Sequence, residues 1–415
     1  MAHRDKILII VENESVPFDP RVWKEAVALH EHGYQVTVLC PRRAYALRSY
    51  EMLSGIHIYR HPALGEAKGA AGYLAEFSWA LICESLFAWW IYFRRGFQVI
   101  QGCNPPDTIF LVALLFKLFG VKYIFDHHDA NPELYLAKYG KEDFLYCCLL
   151  ALERLTYWCS DVVIATNSSY RELALGRGRC KPADVFIVRN GPDLKTVRAI
   201  PPENAWKHGK RFLVGYVGTM NAQDGLDILL EVALRVRAAG RLDVHFTCVG
   251  SGPALPALRN QVRDRSLADL VDFTGRVPDE ELFRIVSTAD VCVNPDRACE
   301  INNISTMIKI MDYMALGKPI VQFESKEGRF SAGSASLYAG GEDPIGDFAG
   351  KLIYLLDHPI ERENMGEFGR KRVEEELAWQ YSVPHLWAAY HCAFSKRSRS
   401  CASSAGGVPF RDYRP

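Results

Sequence analysis

A cation and a carboxylate occur at helical spacing in residues 305–321, which read STMIKIMDYMALGKPIV. Ser305, Lys309 and Asp312 would share one face of a helix, and apolar residues recur on the opposite face. A helix that begins at Ser305 exposes free backbone N–H groups and the positive end of its dipole, which attract phosphate. The pattern predicts a diphosphate-binding helix. The alternative is an exposed ion pair between Lys309 and Asp312 on the helix surface.

A second polar group follows the predicted strand 123–126, in the sequence DHHDANPELY that begins at Asp126. A neutral histidine at a strand end can donate a hydrogen bond to a substrate hydroxyl or accept one from it. His128 is a candidate for that role, and Asp126 can orient its ring. Asp129 is a candidate for contacting a second substrate, the acceptor. The alternative for His128 is a loop histidine that caps local backbone groups.

Arg21 lies in the first turn of a predicted helix, where a cation faces the positive end of the helix dipole. Asp19 followed by Pro20 is a typical N-cap and first-turn pair, so the start of this helix is well marked. The loop 12–21 follows the first predicted strand, at the edge where α/β sheets bind ligands. Because its charge is unfavourably placed for the helix, Arg21 is predicted to bind a phosphate of a substrate, either the group donor or the group acceptor.

The scaffold that positions these side chains is predicted from alternating apolar strands and amphipathic helices. Residues 6–11, a helix ending at Gly33 and residues 35–40 form a βαβ unit, which requires a parallel sheet. A second series of strands and helices starts at residue 212, after a polar segment that contains prolines. The fold class is therefore α/β, with two doubly wound Rossmann-like domains facing a cleft.

Chain length also favours two domains, because 415 residues exceed the size of an ordinary single core. The Ser/Gly-rich C-terminus is typical of disorder. The predicted segments are an N-terminal acceptor-side domain at 1–195, a linker at 196–210, a donor domain at 211–370, a helical segment at 371–395 interrupted at Pro384, and a disordered tail at 396–415.

Composition excludes several functional classes. Lys plus Arg and Asp plus Glu number 49 each, so no net charge attracts the chain to nucleic acid. The apolar run near the N-terminus is much shorter than that of a signal peptide, which predicts a cytoplasmic protein. Most of the twelve cysteines lie in apolar runs and none forms a C-x-x-C pair, so we expect reduced core thiols and no zinc site.

Residues 77–93, FSWALICESLFAWWIYF, are apolar apart from Glu84 and the serines. A segment of this length with a central carboxylate argues against a membrane span. A helix that docks on the membrane would place its aromatic rings at the headgroup level, with Arg94 and Arg95 facing anionic lipid. The alternative is a helix buried on both sides in the first domain, and the sequence leaves both open.

Five motifs occur in order along the chain: DPRVWKEAVALHEHGYQVTVLCP, VRNGPDL, VGSGPALPALR, VDFTGRVPDEELFRIVSTADVCVNP and KIMDYMALGKPIV. Together they resemble the family-4 (group 1) retaining nucleotide-sugar glycosyltransferases, over nearly the whole chain. The resemblance implies a GT-B fold whose C-terminal helix returns to the first domain. It also implies a retaining mechanism, a nucleotide-diphosphate sugar as donor, and no required metal or other cofactor.

The signature of that family carries two glutamates before a MAxGxPV-type sequence, and this chain departs from it. Asp312 stands at the second glutamate, and by resemblance it binds the ribose hydroxyls of the donor. Ile304 stands at the first, so that carboxylate is missing. Glu300, Asn302 and Asn303 are the nearby polar substitutes.

The cations that many relatives place after the first strand of the donor domain are also missing. Thr219 and Asp224 occupy those positions in the loop GTMNAQDG. Charge develops on the diphosphate as the glycosidic bond breaks, and Lys309 is the predicted replacement cation. Gly218 would let the backbone approach the phosphate, or would simply form a turn. The backbone N–H groups near Ser305 would assist.

The sequence thus predicts a retaining glycosyltransferase of the hexosyltransferase type. It would move a sugar from a nucleotide-diphosphate sugar to a glycan or polyprenyl-linked acceptor in cell-surface polysaccharide synthesis, on the cytoplasmic face of a membrane. A GT-B-fold sugar-nucleotide epimerase is the first alternative. A non-catalytic partner subunit, suggested by the missing glutamate, is the second. No G-x-G-x-x-G follows the first strand, which argues against a dehydrogenase.

Overall fold

A computed structural model describes residues 5–64 and 69–404 of the chain. The chain divides into two compact units. Unit 1 contains the residues before 137, residues 141–188 and the chain from 383 onward, and unit 2 contains 137–140 and 189–382. The division after residue 188 comes earlier than the predicted domain end at 195. The segment predicted as a linker, 196–210, belongs to unit 2.

The strands of unit 1 are mostly buried apolar runs, as expected for a sheet covered on both faces. They are β1 (Lys6–Val11), β2 (Gln35–Pro41), β3 (Tyr50–Leu53), β4 (Ile56–His61), β5 (Val99–Cys103), β6 (Lys122–His127), β7 (Val162–Ala165) and β8 (Val185–Ile187). Among the described residues they form one sheet of order β3-β4-β2-β1-β5-β6-β7-β8. Neighbouring strands run parallel except β3, which pairs antiparallel with β4.

Helices cover this sheet, and the predicted start of the first is confirmed. The Asp19 side chain accepts hydrogen bonds from the backbone N–H groups of Arg21 and Val22, with Pro20 in the first turn. The helices of unit 1 are α1 (Pro20–Glu31), α2 (Gly69–Arg94), α3 (Phe110–Lys117), α4 (Asn131–Tyr139), α5 (Phe144–Cys159) and α6 (Ser168–Gly176).

Unit 2 has a parallel sheet of order β11-β10-β9-β12-β13-β14 in the described chain. Its strands are β9 (Phe212–Val217), β10 (Val244–Val249), β11 (Val271–Gly275), β12 (Val291–Asn294), β13 (Ile320–Phe323) and β14 (Ser336–Ala339). Its helices are α7 (Leu226–Ala238), α8 (Leu255–Asp264), α9 (Asp279–Thr288), α10 (Glu300–Ile304), α11 (Ile308–Ala315), α12 (Lys326–Ala332), α13 (Pro344–Asp357) and α14 (Pro359–Arg372). The prediction of two doubly wound α/β domains is confirmed.

The helix predicted to begin at Ser305 begins at Ile308 instead. Ser305 is the C-cap of the short helix α10, and its backbone N–H donates to the Ile301 carbonyl at 3.0 Å. Ile308, predicted on the apolar face, is 41% exposed, whereas Met311 on that face is fully buried. The predicted helix start at Ser305 is therefore wrong, because the chain is extended between two helices there. A phosphate contact near Ser305 stays a prediction.

The C-terminal segment returns to unit 1, as predicted. Helix α15 (Trp379–Ser404) continues through Pro384, and the break lies at Ala378, whose backbone is extended. Within unit 1, the Trp387 indole donates to the Ala28 carbonyl at 3.3 Å. The prediction of a disordered tail from residue 396 is wrong as far as Ser404, and residues 405–415 lie outside the described chain.

Helix α2 combines the two alternatives left open by the sequence. One face is buried in unit 1, and the opposite face exposes Trp79, Ile82, Leu86, Trp90 and Phe93, which recur every three or four residues. Among the described helices, none has both the length and the apolar character needed to cross a bilayer.

Of the predicted lipid-facing rings, Trp89 and Tyr92 instead pack on Phe116 of α3, at ring-centroid distances of 4.5 and 5.4 Å. Arg95 also faces the protein, since its Nε donates to the Tyr59 hydroxyl at 2.7 Å. Arg94 stays exposed, with its guanidinium 5.6 Å from the centre of the Trp90 ring.

Candidate active site

The strand order of unit 2 reverses direction between β9 and β12, the point where open α/β sheets bind ligands beyond their carboxyl ends. Gly218 directly follows β9, and Asp296 lies two residues after β12. A cavity of about 310 Å³ opens at this edge, lined in part by Asn294, Asp296 and Glu300. The topology therefore places a polar cavity where the sequence predicted the donor site.

Lys309, in the first turn of α11, projects to this switch point. Its Nζ lies 2.8 Å from Asp296 Oδ1 and 3.4 Å from the Tyr216 hydroxyl, and 4.9 Å from the centre of the Tyr216 ring. The side chains of Lys309 and Asp296 are 9% and 6% exposed. The predicted exposed ion pair on the helix surface is therefore not what forms, because the Lys309 side chain is buried and pairs with Asp296.

Several buried polar atoms beside this ion pair have no hydrogen-bond partner in the described chain. They are Asn294 Oδ1, Asp296 Oδ2 and both amide atoms of Gln322. Asn294 and Gln322 are register partners on β12 and β13. A buried polar atom left unpaired costs about 1–3 kcal/mol, so such a group indicates a place for a polar ligand.

Sequence reasoning missed these three residues. A usable signal was present, because Asn294 and Gln322 interrupt apolar strands at neighbouring sheet positions. Their proximity, however, depends on the pairing of β12 with β13, which no local pattern shows.

The predicted substitutes for the missing glutamate have mixed outcomes. Glu300, Asn302 and Asn303 all line the cavity, and their binding of a donor stays a prediction. The amide nitrogen of Asn302, however, donates to the carbonyls of Gln223 at 3.0 Å and Arg297 at 2.9 Å, which clamps the surrounding loops. Asn303 accepts from the backbone N–H of Lys326 at 2.9 Å, at the start of α12.

Three further predicted donor residues lie nearby along the chain. Asp312 is half-buried, one turn after Lys309 on α11, and Ser305 is half-buried between α10 and α11. Thr219 is exposed after β9, and its carbonyl accepts from the Tyr216 hydroxyl at 2.8 Å. Their roles toward a donor remain predictions.

Gly218 is required by close packing of the protein itself. A Cβ atom there would lie 2.9 Å from the Tyr216 hydroxyl, and one on Gly250 would lie 1.9 Å from the Gly218 carbonyl oxygen. The Tyr216 hydroxyl and a positive φ thus explain Gly218, and close backbone approach between the loops after β9 and β10 explains Gly250, without a ligand. A phosphate contact at Gly218 stays a prediction.

In unit 1, the predicted residues Arg21, Asp126 and His128 meet in one buried cluster. Arg21 Nη2 lies 2.8 Å from Asp126 Oδ1, and Arg21 Nη1 donates to the Val188 carbonyl at 2.9 Å. His128 Nε2 lies 2.7 Å from Asp126 Oδ2. The guanidinium of Arg21 thus bonds to groups of the protein itself. This cation, which is unfavourably placed at the start of α1, therefore has a structural role. Phosphate binding by Arg21 remains a prediction.

His128 Nε2 also lies 3.0 Å from Arg21 Nε, and one ring nitrogen cannot accept from Arg21 while it donates to Asp126. Burial disfavours the charged imidazole, but the Asp126 carboxylate outweighs burial and raises the pKa of His128. Burial likewise opposes ionisation of Asp126, yet Arg21 and His128 hold the pKa of its carboxyl well below the usual range. We therefore assign the Nε2 proton of His128 to its bond with Asp126.

Gln101 and Tyr390, which the sequence analysis did not select, connect this cluster to the C-terminal helix α15. Gln101 donates to Asp126 Oδ2 at 2.8 Å and to Glu25 Oε2 at 2.6 Å, and it accepts from the Tyr390 hydroxyl. Burial raises the pKa of Glu25 to about 8 although Arg21 opposes the shift. A glutamine inside the buried strand VIQGC was the available signal.

The loop that carries His128 and Asp129 is fixed by Asn104. The Asn104 Oδ1 accepts from the backbone N–H of His128 at 2.7 Å and of Asp129 at 3.2 Å, and its amide nitrogen donates to the Asp129 carbonyl at 2.7 Å. Burial raises the pKa of the Asp129 carboxyl group. The predicted contact of Asp129 with the acceptor substrate stays a prediction.

Two doubly wound α/β units, one of them with a buried cation and unpaired polar atoms at its switch point, define a class of two-domain α/β proteins whose ligand sites lie at the carboxyl ends of the strands. Family models agree. The "Glycosyl transferase 4-like domain" model matches residues 19–191, and the "Glycosyl transferases group 1" model matches residues 211–358. Together they match most of the chain, which belongs to the group 1, family-4 glycosyltransferases with a GT-B fold.

The chain is 28% identical, over 205 residues, to a GDP-mannose-dependent monoacylated alpha-(1-6)-phosphatidylinositol monomannoside mannosyltransferase of Corynebacterium glutamicum, covering 46% of this chain and 52% of the relative. The chain spans about half the length of the curated relatives it matches.

Solved structures share the fold. Sucrose-phosphate synthase of Thermosynechococcus elongatus gives a TM-score of 0.77 at 18% identity, covering 94% of this chain and 100% of the other. Anabaena HepE in complex with UDP and glucose gives 0.70 at 13% identity, with the same coverage.

Proposed function

We propose that the protein is a retaining glycosyltransferase that moves a sugar from a nucleotide-diphosphate sugar to a lipid-linked or glycan acceptor in cell-surface polysaccharide synthesis. The observation that carries the proposal is the buried Lys309–Asp296 pair beside the unpaired atoms of Asn294 and Gln322. The C. glutamicum relative is GDP-mannose-dependent by name, and HepE holds UDP and glucose. These names support a nucleotide sugar as the donor.

In the proposed site, Lys309 meets the charge that develops on the diphosphate as the glycosidic bond breaks. The free Oδ2 of Asp296 and the Oδ1 of Asn294 accept hydrogen bonds from donor hydroxyls. Asp312, one turn further along α11, holds the ribose, and Gly218 and the residues around Ser305 face the phosphates.

His128 contacts the transferred sugar in this proposal. Its imidazole is held by Asp126 and by the Asn104 contact to its backbone, so its orientation is set before a substrate arrives. The leaving phosphate takes the proton of the acceptor hydroxyl, so the transfer step uses no dedicated protein base and no metal. The rate advantage comes from positioning and charge stabilisation.

A peripheral attachment to the cytoplasmic face of an anionic membrane is part of this proposal. Helix α3 packs against α2 and α5 packs against α3, and both of these helices also expose apolar side chains. The exposed apolar side chains there are Leu111, Leu114, Leu115, Leu118 and Phe119 around α3, and Phe144, Leu145, Leu155 and Trp158 on α5. Such a patch with the exposed Arg94 at its edge suits lipid headgroups. The lipid substrate named for the C. glutamicum relative also supports this attachment.

The test is a thermal-shift screen of UDP, GDP, ADP, CDP and TDP with wild-type protein, Lys309→Met and Lys351→Met. A diphosphate at about 100 times its Kd should stabilise the wild type by about 2.7 kcal/mol. Lys351 is a matched control, because it pairs with Asp347 on the exposed surface of α13. The proposal fails if no diphosphate raises the melting temperature, or if Lys309→Met shows the full wild-type shift.

The same preparation separates transfer from epimerisation. A sugar nucleotide of the base identified by the screen is incubated with and without vesicles that carry a polyprenyl-phosphate sugar. If the protein is a transferase, the donor sugar becomes attached to the lipid in the reaction with vesicles, and no sugar is transferred in the reaction without them. Conversion of the donor sugar without any acceptor would favour the epimerase instead.

A further inference from the structure

Unit 1 holds another cluster of chemically capable side chains, distinct from the His128 cluster. Glu12 directly follows β1, His61 ends β4, and Glu84 lies in α2. They are 4%, 0% and 1% exposed. One ligand atom from each lies within 4.8 Å of the other two. Three segments that are far apart in sequence thus bring a nitrogen and two carboxylates to one buried point.

None of the three facing atoms has a hydrogen-bond partner among the residues that the structure describes. His61 Nε2 and Glu12 Oε2 are 2.8 Å apart, yet the contact is not aligned as a hydrogen bond, and Glu84 Oε1 is also unpaired. The other ring nitrogen, Nδ1, lies 3.1 Å from the Pro62 carbonyl oxygen. A proton on Nδ1 that donates to this carbonyl leaves the lone pair of Nε2 in the cluster. Histidines that bind metals are held by the same kind of bond to a backbone carbonyl.

Within residues 5–64 and 69–404, the structure shows no lysine or arginine that compensates the carboxylates of this cluster. Among the described residues, no Lys or Arg forms an ion pair with Glu12 or Glu84. The neighbouring Arg60 directs its guanidinium elsewhere, to the Ser15 hydroxyl at 2.8 Å and the Arg48 carbonyl at 3.1 Å. Buried carboxylates are normally paired or coordinate a metal.

We propose that Glu12, His61 and Glu84 form a binding site for a divalent metal ion of the zinc type. One imidazole nitrogen and two carboxylate oxygens are three ligands that Zn²⁺ accepts, with a water molecule at the fourth position. Tetrahedral bonds of about 2.0–2.2 Å place ligand atoms roughly 3.3–3.6 Å apart, so small side-chain shifts within the cluster suffice.

The ion would fasten α2 to the sheet across β1 and β4, a structural role that does not depend on the proposed transfer reaction. The sequence expectation of no zinc site relied on the absence of closely spaced cysteines. It did not address ligands contributed by residues 12, 61 and 84.

Two other groups in the described chain have side chains close enough together to bind a metal ion, but their ligand atoms are already hydrogen-bonded or exposed. In the group Cys103, Asp126 and His128, the Asp126 carboxylate already bonds to His128, Arg21 and Gln101. The group His208, His245 and Asp272 has an exposed member, and His245 already bonds to Asp272 at 2.8 Å. The second group supplies a control, since His245→Gln removes it without touching the proposed site.

The test uses full-length protein that is stripped with a chelator and titrated with Zn²⁺ and Co²⁺. Metal content is measured by mass spectrometry, and Co²⁺ binding by visible absorption. Wild type and His245→Gln should bind one equivalent, whereas Glu84→Gln and His61→Gln should bind at least tenfold more weakly. The chelator should lower the melting temperature of the wild type and leave that of Glu84→Gln unchanged.

The proposal is overturned if stripped wild type takes up neither ion. It is equally overturned if His245→Gln abolishes binding while Glu84→Gln retains it. If Glu84→Gln does not fold, Glu12→Gln replaces it with the same expected loss. These outcomes do not involve nucleotide binding, so the metal site can fail while the proposed transfer stands, and the reverse.

Discussion

The clusters around His128 in unit 1 and Lys309 in unit 2 both place a cation against carboxylates at the carboxyl ends of parallel strands. They differ in how completely their polar groups are paired. Around His128, Arg21 and Gln101 bond to both oxygens of Asp126. Around Lys309, one oxygen of Asp296 and the side chain of Gln322 have no partner.

This difference separates two tasks. Hydrogen bonds to both oxygens of the buried Asp126 hold the neighbouring side chains in one orientation, because any movement would leave a polar group unpaired. Unpaired atoms beside a cavity retain the capacity to bind a ligand, at a cost to the stability of the empty protein. The comparison therefore predicts that substitutions in unit 1 act mainly on stability, and those at the Lys309 site mainly on donor binding and rate.

The largest effect is expected for Asp126→Asn. It leaves the buried guanidinium of Arg21 without its main counterion, which should lower the free energy of unfolding by about 3–5 kcal/mol. Urea denaturation measures the change. The control is Asp347→Asn, which breaks an exposed ion pair with Lys351 and should cost less than about 1 kcal/mol. Equal losses in the two variants would contradict the distinction.

Lys309→Met should lower the rate of sugar transfer by about 10²–10³-fold, the effect of removing a group that stabilises transition-state charge. Its unfolding free energy should fall less than that of Asp126→Asn, because Asp296 then faces a cavity. Initial rates at saturating donor measure the effect against Lys351→Met. A rate within about twofold of wild type would remove Lys309 from the site.

Glu25→Gln should flatten the dependence of stability on pH. Burial raises the pKa of Glu25 to about 8 in the folded protein, above the ordinary value of 4.5. Between these values the folded state binds the extra proton, so its stability falls as pH rises from about 5 to 8. The slope should differ between wild type and Glu25→Gln by up to about 1.4 kcal/mol per pH unit. Urea denaturation at several pH values tests this, and identical slopes would show that Glu25 is ionised throughout.

Tyr390→Phe should have the smallest effect. It removes the hydroxyl that donates to Gln101, with an expected loss of about 1 kcal/mol in unfolding free energy. The matched control is Tyr381→Phe, whose hydroxyl bonds to the Glu374 carbonyl in an exposed position. If the C-terminal helix supports the His128 cluster, only Tyr390→Phe should also shift the pH profile of transfer. Indistinguishable profiles would confine Tyr390 to packing.

The sequence by itself determined the local elements and the family. The bounds of β1 match the predicted strand at 6–11, and β9 begins at residue 212 as predicted, since period and turn residues are local properties. The N-cap at Asp19 was equally readable. Lys309 was also identified from the sequence, because helical spacing next to a family motif singles it out.

Only the tertiary structure decided which polar groups meet. It moved the start of α11 from Ser305 to Ile308, and it paired Lys309 with Asp296, a residue that the sequence analysis did not select. It also turned Arg21 toward Asp126 and brought Glu12, His61 and Glu84 together. These contacts join segments that strand order makes neighbours, and their energies depend on burial. Neither strand order nor burial is fixed by the residues adjacent in the chain.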